Sequence, residues 1–276
     1  MTASRLHADF LPSPRGRLFV VWRLPAGNQG PAVLLVPPFA EEMNKSRKLC
    51  TDLAQALNRQ GIAAVLPDLH GTGDSEGDFG TADWAGWVDD LCLTAAFAGS
   101  IGWPVRGLLG IRLGCQLAAD FSRLQAEPMQ HSVFWQPVTD GSRFLTQFLR
   151  LRVAARIMAD GQESVSQLRS RLAAEGSLDV AGYTLGAGLA AAIEQRDAGS
   201  CLHAALGKLT VIEVPRPHAE PGMSAAAKQL LDAAAALPVD AAHASAAGEP
   251  FWSATEIVRN AALVSRSAEC FAGLSP

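Results

Sequence analysis

Five residues, Gly110-Ile-Arg-Leu-Gly114, constrain this chain more than any other stretch. A short apolar run at 105–109 leads into them, and a small-residue helical pattern at 115–124 follows. Strand, Gly-x-x-x-Gly and helix in direct succession form a tight bend that lifts the central side chain above the edge of a sheet. With serine at the centre the bend is a nucleophile elbow. Here the centre is Arg112. A guanidinium stays protonated and has no acceptor lone pair, so it cannot attack a substrate. The turn predicts an architecture and lacks the usual chemistry of that architecture.

The flanking pattern agrees with a layered α/β fold. The Pro/Gly-rich stretch at 11–16 separates two strand-like runs and predicts an N-terminal hairpin, the second strand at 17–24. The continuous apolar run at 32–36 reads as a strand buried on both faces, and 62–66, 105–109, 131–135 and 209–214 read as further strands. A last short strand is expected at 238–244. Helical spacing appears at 45–60, 84–98, 115–124, 224–236 and 253–265, and Gly61 closes the first of these. This alternation predicts an open, mostly parallel sheet with helices on both faces. Between 141 and 206 helical patterns dominate, clearest at 143–158 and 162–174. The expected organisation is a core of 1–140 and 207–276 with a helical cap inserted at 141–206.

Whole-chain quantities narrow the partners. At 276 residues the chain can bury a sizeable core. Its formal net charge of −4 and the absence of a Lys/Arg block argue against nucleic acid. The first nine residues lack the apolar segment of a signal peptide, and no apolar stretch approaches the roughly 20 residues of a membrane span. The expectation is a cytoplasmic protein without a membrane span. The cysteines Cys50, Cys92, Cys115, Cys201 and Cys270 are far apart and contain no C-x-x-C pair, which argues against a disulfide framework or a zinc knuckle. No metal-ligand spacing is present, and Gly71-Thr-Gly73 falls short of a dinucleotide fingerprint, so neither metal nor cofactor is expected.

Two further pieces extend the elbow into a family resemblance. Asp68-Leu-His-Gly-Thr-Gly-Asp-Ser-Glu-Gly77 follows a strand and resembles the D-x-x-G-x-G-x-S loop of α/β-hydrolases. Pro37-Pro-Phe-Ala-Glu-Glu-Met-Asn44 stands where many such enzymes carry the His-Gly loop that lends one oxyanion-hole amide. Together with Gly110-Ile-Arg-Leu-Gly114 and Gly248-Glu-Pro-Phe-Trp252, the stretch from Pro37 to Arg47 is similar to the second of two hydrolase-like proteins associated with the exosortase A (PEP-CTERM) system. That resemblance implies an α/β-hydrolase fold and a setting of exopolysaccharide synthesis.

The hydrolase order is nucleophile, then acid, then histidine. The acid is expected after the strand at 209–214, where Pro215-Arg-Pro-His218 stands with no carboxylate until Glu220. The base is expected after the last strand, where Gly248-Glu249 replaces Gly-His. All three positions depart from the pattern. Candidate catalytic residues are therefore Cys115, beside the elbow on the first turn of a helix, and Glu249 or Asp140 as activators of water. His218 and His243 flank the regions of the missing acid and base. The stronger reading of Cys115 is a small core residue packing helix to sheet.

Arg112 has two readings. In one it is neutralised by a carboxylate of Glu41, Glu42, Asp140 or Glu249, because an unpaired buried charge is too costly. In the other it holds an anionic group of a ligand, among Phe39, Leu113, Glu41, Glu42 and His70. The expected ligand is a small anionic or acyl compound. The activity readings are an ester or thioester hydrolase without the usual serine, a silent homologue that binds through Arg112, and a scaffold for a biosynthetic partner.

Overall fold

The computed structural model describes residues 5–158, 162–215 and 222–276. The chain opens with a hairpin of β1 (Arg5–Leu11) and β2 (Leu18–Leu24). It then alternates through β3 (Ala32–Val36), α1 (Glu42–Arg59), β4 (Ala63–Pro67), α2 (Trp84–Ser100), β5 (Val105–Ile111), α3 (Gly114–Arg123) and β6 (His131–Trp135). Next come α4 (Gly141–Met158), α5 (Val165–Glu175), β7 (Ser177–Val180), β8 (Tyr183–Gly186) and α6 (Ala187–Glu194). The last elements are β9 (Lys208–Glu213), α7 (Ala225–Ala234), β10 (Asp240–Ser245) and α8 (Ala261–Phe271). Among the described residues no helix is long and apolar enough to cross a membrane.

Eight strands form one sheet in the order β1-β2-β4-β3-β5-β6-β9-β10. The β1–β2 and β2–β4 pairings are antiparallel, and every pairing from β4 across to β10 is parallel. Parallel strands need cover on both faces. In β3, Ala32, Leu34 and Val36 pack into the layer that holds α2 and α3. Val33 and Leu35 pack on the opposite side against α1 and α8, among Leu49, Leu53, Leu57, Leu263 and Phe271. That division explains why the strand reads as an unbroken apolar run.

Three expectations are corrected. The insertion is not purely helical: β7 and β8 form a separate antiparallel pair, joined by Ala181 and Gly182, both with positive φ. Such a two-residue turn suits the twist of a hairpin. The last helix begins at 261 rather than 253, because Asn260 caps it by accepting from the Leu263 amide at 2.9 Å. And α1 starts at Glu42, three residues before the expected start, which puts Glu42 on a rigid first turn instead of a loop.

Candidate functional site

The parallel strands all deliver their carboxyl ends to one edge, where Pro37 follows β3, Arg112 follows β5, Gln136 follows β6 and Val214 follows β9. Arg112 has φ +55°, the left-handed conformation that an elbow apex demands and that side chains other than glycine rarely adopt. The elbow glycines permit the bend. A Cβ on Gly110 would stand 2.6 Å from the Cys115 Cα, and one on Gly114 would stand 2.4 Å from the Pro37 carbonyl oxygen.

The Arg112 side chain is held on three sides. Its Nε donates to Glu42 Oε1 at 3.2 Å, and its Nη1 donates to the Gln136 carbonyl at 3.1 Å. The guanidinium carbon stands 4.9 Å from the centre of the Trp252 ring, in cation–π range. The second terminal nitrogen makes no hydrogen bond among the described residues. Burial pushes the Glu42 carboxyl above its ordinary range, opposed by the Arg112 charge and reinforced by Glu41. Burial likewise raises Glu41. One oxygen of each carboxylate, Glu41 Oε2 and Glu42 Oε2, is buried without a hydrogen-bond partner.

Gln136 carries the network onward. It too has positive φ, +46°, and its side chain accepts from the Val214 amide and donates to Glu213 Oε1 at 3.4 Å. Glu213, the last residue of β9, accepts from Ser224 Oγ at 2.5 Å and from the Ser224 amide at 3.0 Å. Its Oε2 faces His243 Nε2 at 3.1 Å. A polar chain thus runs Glu42–Arg112–Gln136–Glu213, with Ser224 and His243 both on Glu213. Glu213 and Ser224 are not among the candidates read from the sequence. The signal available there is a lone carboxylate, Glu213, near the end of the strand-like run at 209–214.

Beside this chain lies an open crevice of about 660 Å³. Arg112, Gln136, Asp140, Arg143, Glu213 and Ser224 are among its lining residues. The other side of the elbow is closed. Phe39, Leu113, Met43, Trp87 and Leu117 surround a void of only about 10 Å³, too small for more than one water. Phe39 makes edge-to-face contacts with Phe79, Trp87, Phe144 and Phe148, at centroid distances of 5.0–6.1 Å. Aromatic residues from α4 therefore fill the space beside the oxyanion-loop position.

The other candidates scatter. Asp140 lines the crevice and caps α4 by accepting from the Arg143 amide. Glu249 is exposed and does not line the crevice. Phe39 and Leu113 belong to the closed apolar side. His70 packs its ring against Gly77, where a Cβ would fall 2.2 Å from Cε1. His218 lies outside the described residues.

Cys115 is fully buried, with Sγ 4.0 Å from the Trp135 carbonyl. Burial pushes its thiol well above the ordinary range, and no histidine stands among its hydrogen-bond partners. A neutral, enclosed thiol is a packing group. Iodoacetamide at mildly alkaline pH is expected to leave Cys115 unmodified in the native protein and to modify it in denaturant, read by peptide mass spectrometry. Native-state alkylation at Cys115 would return it to the list of nucleophiles.

No family model matches the chain, and no curated protein matches its sequence. Solved structures do match. Est1E from Butyrivibrio proteoclasticus, in a structure with ferulic acid bound, superposes with a TM-score of 0.68 at 11% identity, over 95% of each chain. A proline iminopeptidase-related protein from Thermus thermophilus gives 0.62 at 19% identity, over 99% of each chain. The thioesterase domain from the curacin biosynthetic pathway gives 0.56 at 12% identity, over 97% of this chain and 98% of that one. The chain has the α/β-hydrolase fold. Within that fold its elbow presents an arginine paired with Glu42, and Glu213 stands beside His243 further along the same polar chain.

Proposed function

We propose that the crevice binds a small anionic or acyl compound, with Arg112 as the anchor for its anionic group. The observation that carries this reading is the placement of a guanidinium at the elbow apex, lining an open crevice, with one terminal nitrogen not engaged by the described residues. Ligands of open α/β sheets bind at the carboxyl ends of the strands. A planar, permanently charged fork suits a carboxylate or phosphate, and Arg143 adds a second cation on the crevice wall. The segment at 141–206 supplies that wall through α4 and serves as a cap. The resemblance to exosortase-associated proteins supports a cytoplasmic ligand from exopolysaccharide assembly, such as an ester or thioester intermediate.

Calorimetric titration with a panel of short carboxylates, acyl phosphates and acyl thioesters tests this. At least one anionic member is expected to bind saturably. Arg112→Met is expected to weaken it by about 10-fold or more, a loss of about 1.4 kcal/mol. Glu42 tolerates that substitution by taking up a proton, since burial already favours its neutral form. Equal affinity in wild type and Arg112→Met would remove Arg112 from the binding site. Hydrolysis of the bound ester is a second reading, favoured by the contacts of Glu213 with Ser224 and His243.

A further inference from the structure

Ser224 is the N-cap of α7, on the wall of the crevice. Its hydroxyl oxygen accepts from the Ala227 amide at 3.1 Å, which by itself completes a helix cap. A cap needs nothing more. Yet the same hydroxyl donates to Glu213 Oε1 at 2.5 Å, within the range of a charge-assisted O–H···O⁻ bond. Glu213 is nearly buried, with a side chain 6% exposed, and its other oxygen is faced by His243. Both Ser224 and Glu213 open onto the crevice that Arg112 lines. A buried carboxylate aimed at a hydroxyl, with a third group fixing the carboxylate, is the logic of an activated nucleophile.

We propose that Ser224 is a relocated nucleophile for ester or thioester cleavage, with Glu213 as its general base and His243 as a positioning residue behind Glu213. Ser224 Oγ attacks the carbonyl carbon while its proton passes to Glu213 Oε1. The second lone pair of Oγ is free for attack, the first being held by the Ala227 amide. Ala225 and Ala226 line the same crevice, and their first-turn amides, without intrahelical acceptors, are the donors available to the developing oxyanion. The tetrahedral intermediate collapses, the C–O or C–S bond breaks, and Glu213 returns the proton to the leaving alcohol or thiol. Water then attacks the acyl-serine with Glu213 again as base, releasing the carboxylic acid and restoring Ser224. The step does not depend on Arg112 as the anion anchor.

The test is a fluorophosphonate probe together with short aryl esters and acyl thioesters. Wild type is expected to gain one phosphonyl adduct, mapped by mass spectrometry to Ser224, and to turn over at least one ester. Ser224→Ala and Ser224→Asn are each expected to lose the adduct and about 10²-fold or more in kcat. The asparagine keeps a capping side chain and so separates chemistry from folding, which thermal unfolding checks. Glu213→Gln is expected to slow both labelling and turnover. His243→Gln is expected to lower kcat several-fold with KM unchanged. No adduct in wild type, an adduct elsewhere, or full turnover by Ser224→Asn would overturn the proposal. Arg112→Met reports on anion binding and Ser224→Asn on the covalent step, so either reading can fail alone.

Discussion

Glu42→Leu is expected to cost about 3–5 kcal/mol of stability, the loss typical of removing one partner from a buried ion pair. Both side chains of the pair are nearly buried, at 12% and 8% exposure for Arg112 and Glu42. Without Glu42 the guanidinium keeps, among the described residues, the Gln136 carbonyl, the Trp252 ring and the nearby charge of Glu41. The partnered replacement behaves differently. Glu42→Leu/Arg112→Met removes both charges and is expected to recover most of the loss, because a desolvated pair contributes little net energy over apolar packing. Denaturant unfolding of the four proteins gives the coupling energy directly. A single substitution costing under about 1 kcal/mol would mean that Arg112 is solvated from the crevice instead.

The same pair sets a pH dependence. Burial, outweighing Arg112, raises the Glu42 pKa in the folded protein. The folded state then binds that proton more tightly than the unfolded chain. The contribution to stability is present below the ordinary glutamate range and is lost as pH rises through the raised value. Wild type is accordingly expected to gain on the double variant as pH falls, in the same unfolding measurements.

Much of the fold is legible in the sequence because parallel strands buried on two faces are apolar over most of their length. The runs at 32–36 and 131–135 coincide with β3 and β6 to the residue. The hairpin of β7 and β8 is hard to read because its strands are four residues each, too short for the alternation in β7 to stand out, while β8 does not alternate. The start of α8 is ambiguous because Ser253 and Asn260 are both suitable caps by type, and only the contact of Asn260 with Leu263 decides between them. The site is harder still. Arg112 is visible from motif spacing, but its partner depends on α1 starting early enough to carry Glu42 inward. Glu213 lies inside a strand rather than on the loop beyond it, and its contact with Ser224 spans a segment that no local pattern connects. Phe39 occupies a loop position associated with ligands and is instead locked by four aromatic neighbours, two of them contributed by α4.

Gly114→Ala is expected to be among the most damaging single substitutions in the chain, at about 3 kcal/mol or more. The added Cβ would lie 2.4 Å from the Pro37 oxygen and 2.7 Å from the Val36 oxygen. Both are backbone atoms, so no rotamer change relieves the contact, and α3 must move away from the end of β3. That displacement carries Arg112 with it, since the Cys115 amide is bonded to the Arg112 carbonyl across the bend. Loss of stability and loss of ligand binding are therefore expected together. Gly99→Ala provides the contrast: it lies in α2, a Cβ there meets nothing within 4 Å, and alanine is the better helix former. It is expected to be neutral or to add about 0.5–1 kcal/mol. Thermal and denaturant unfolding of the two variants compare the same chemical change in two backbone settings. Similar values for both would mean that the tight approach of α3 to the β3 loop, which makes an elbow of these five residues, is not rigidly held in solution.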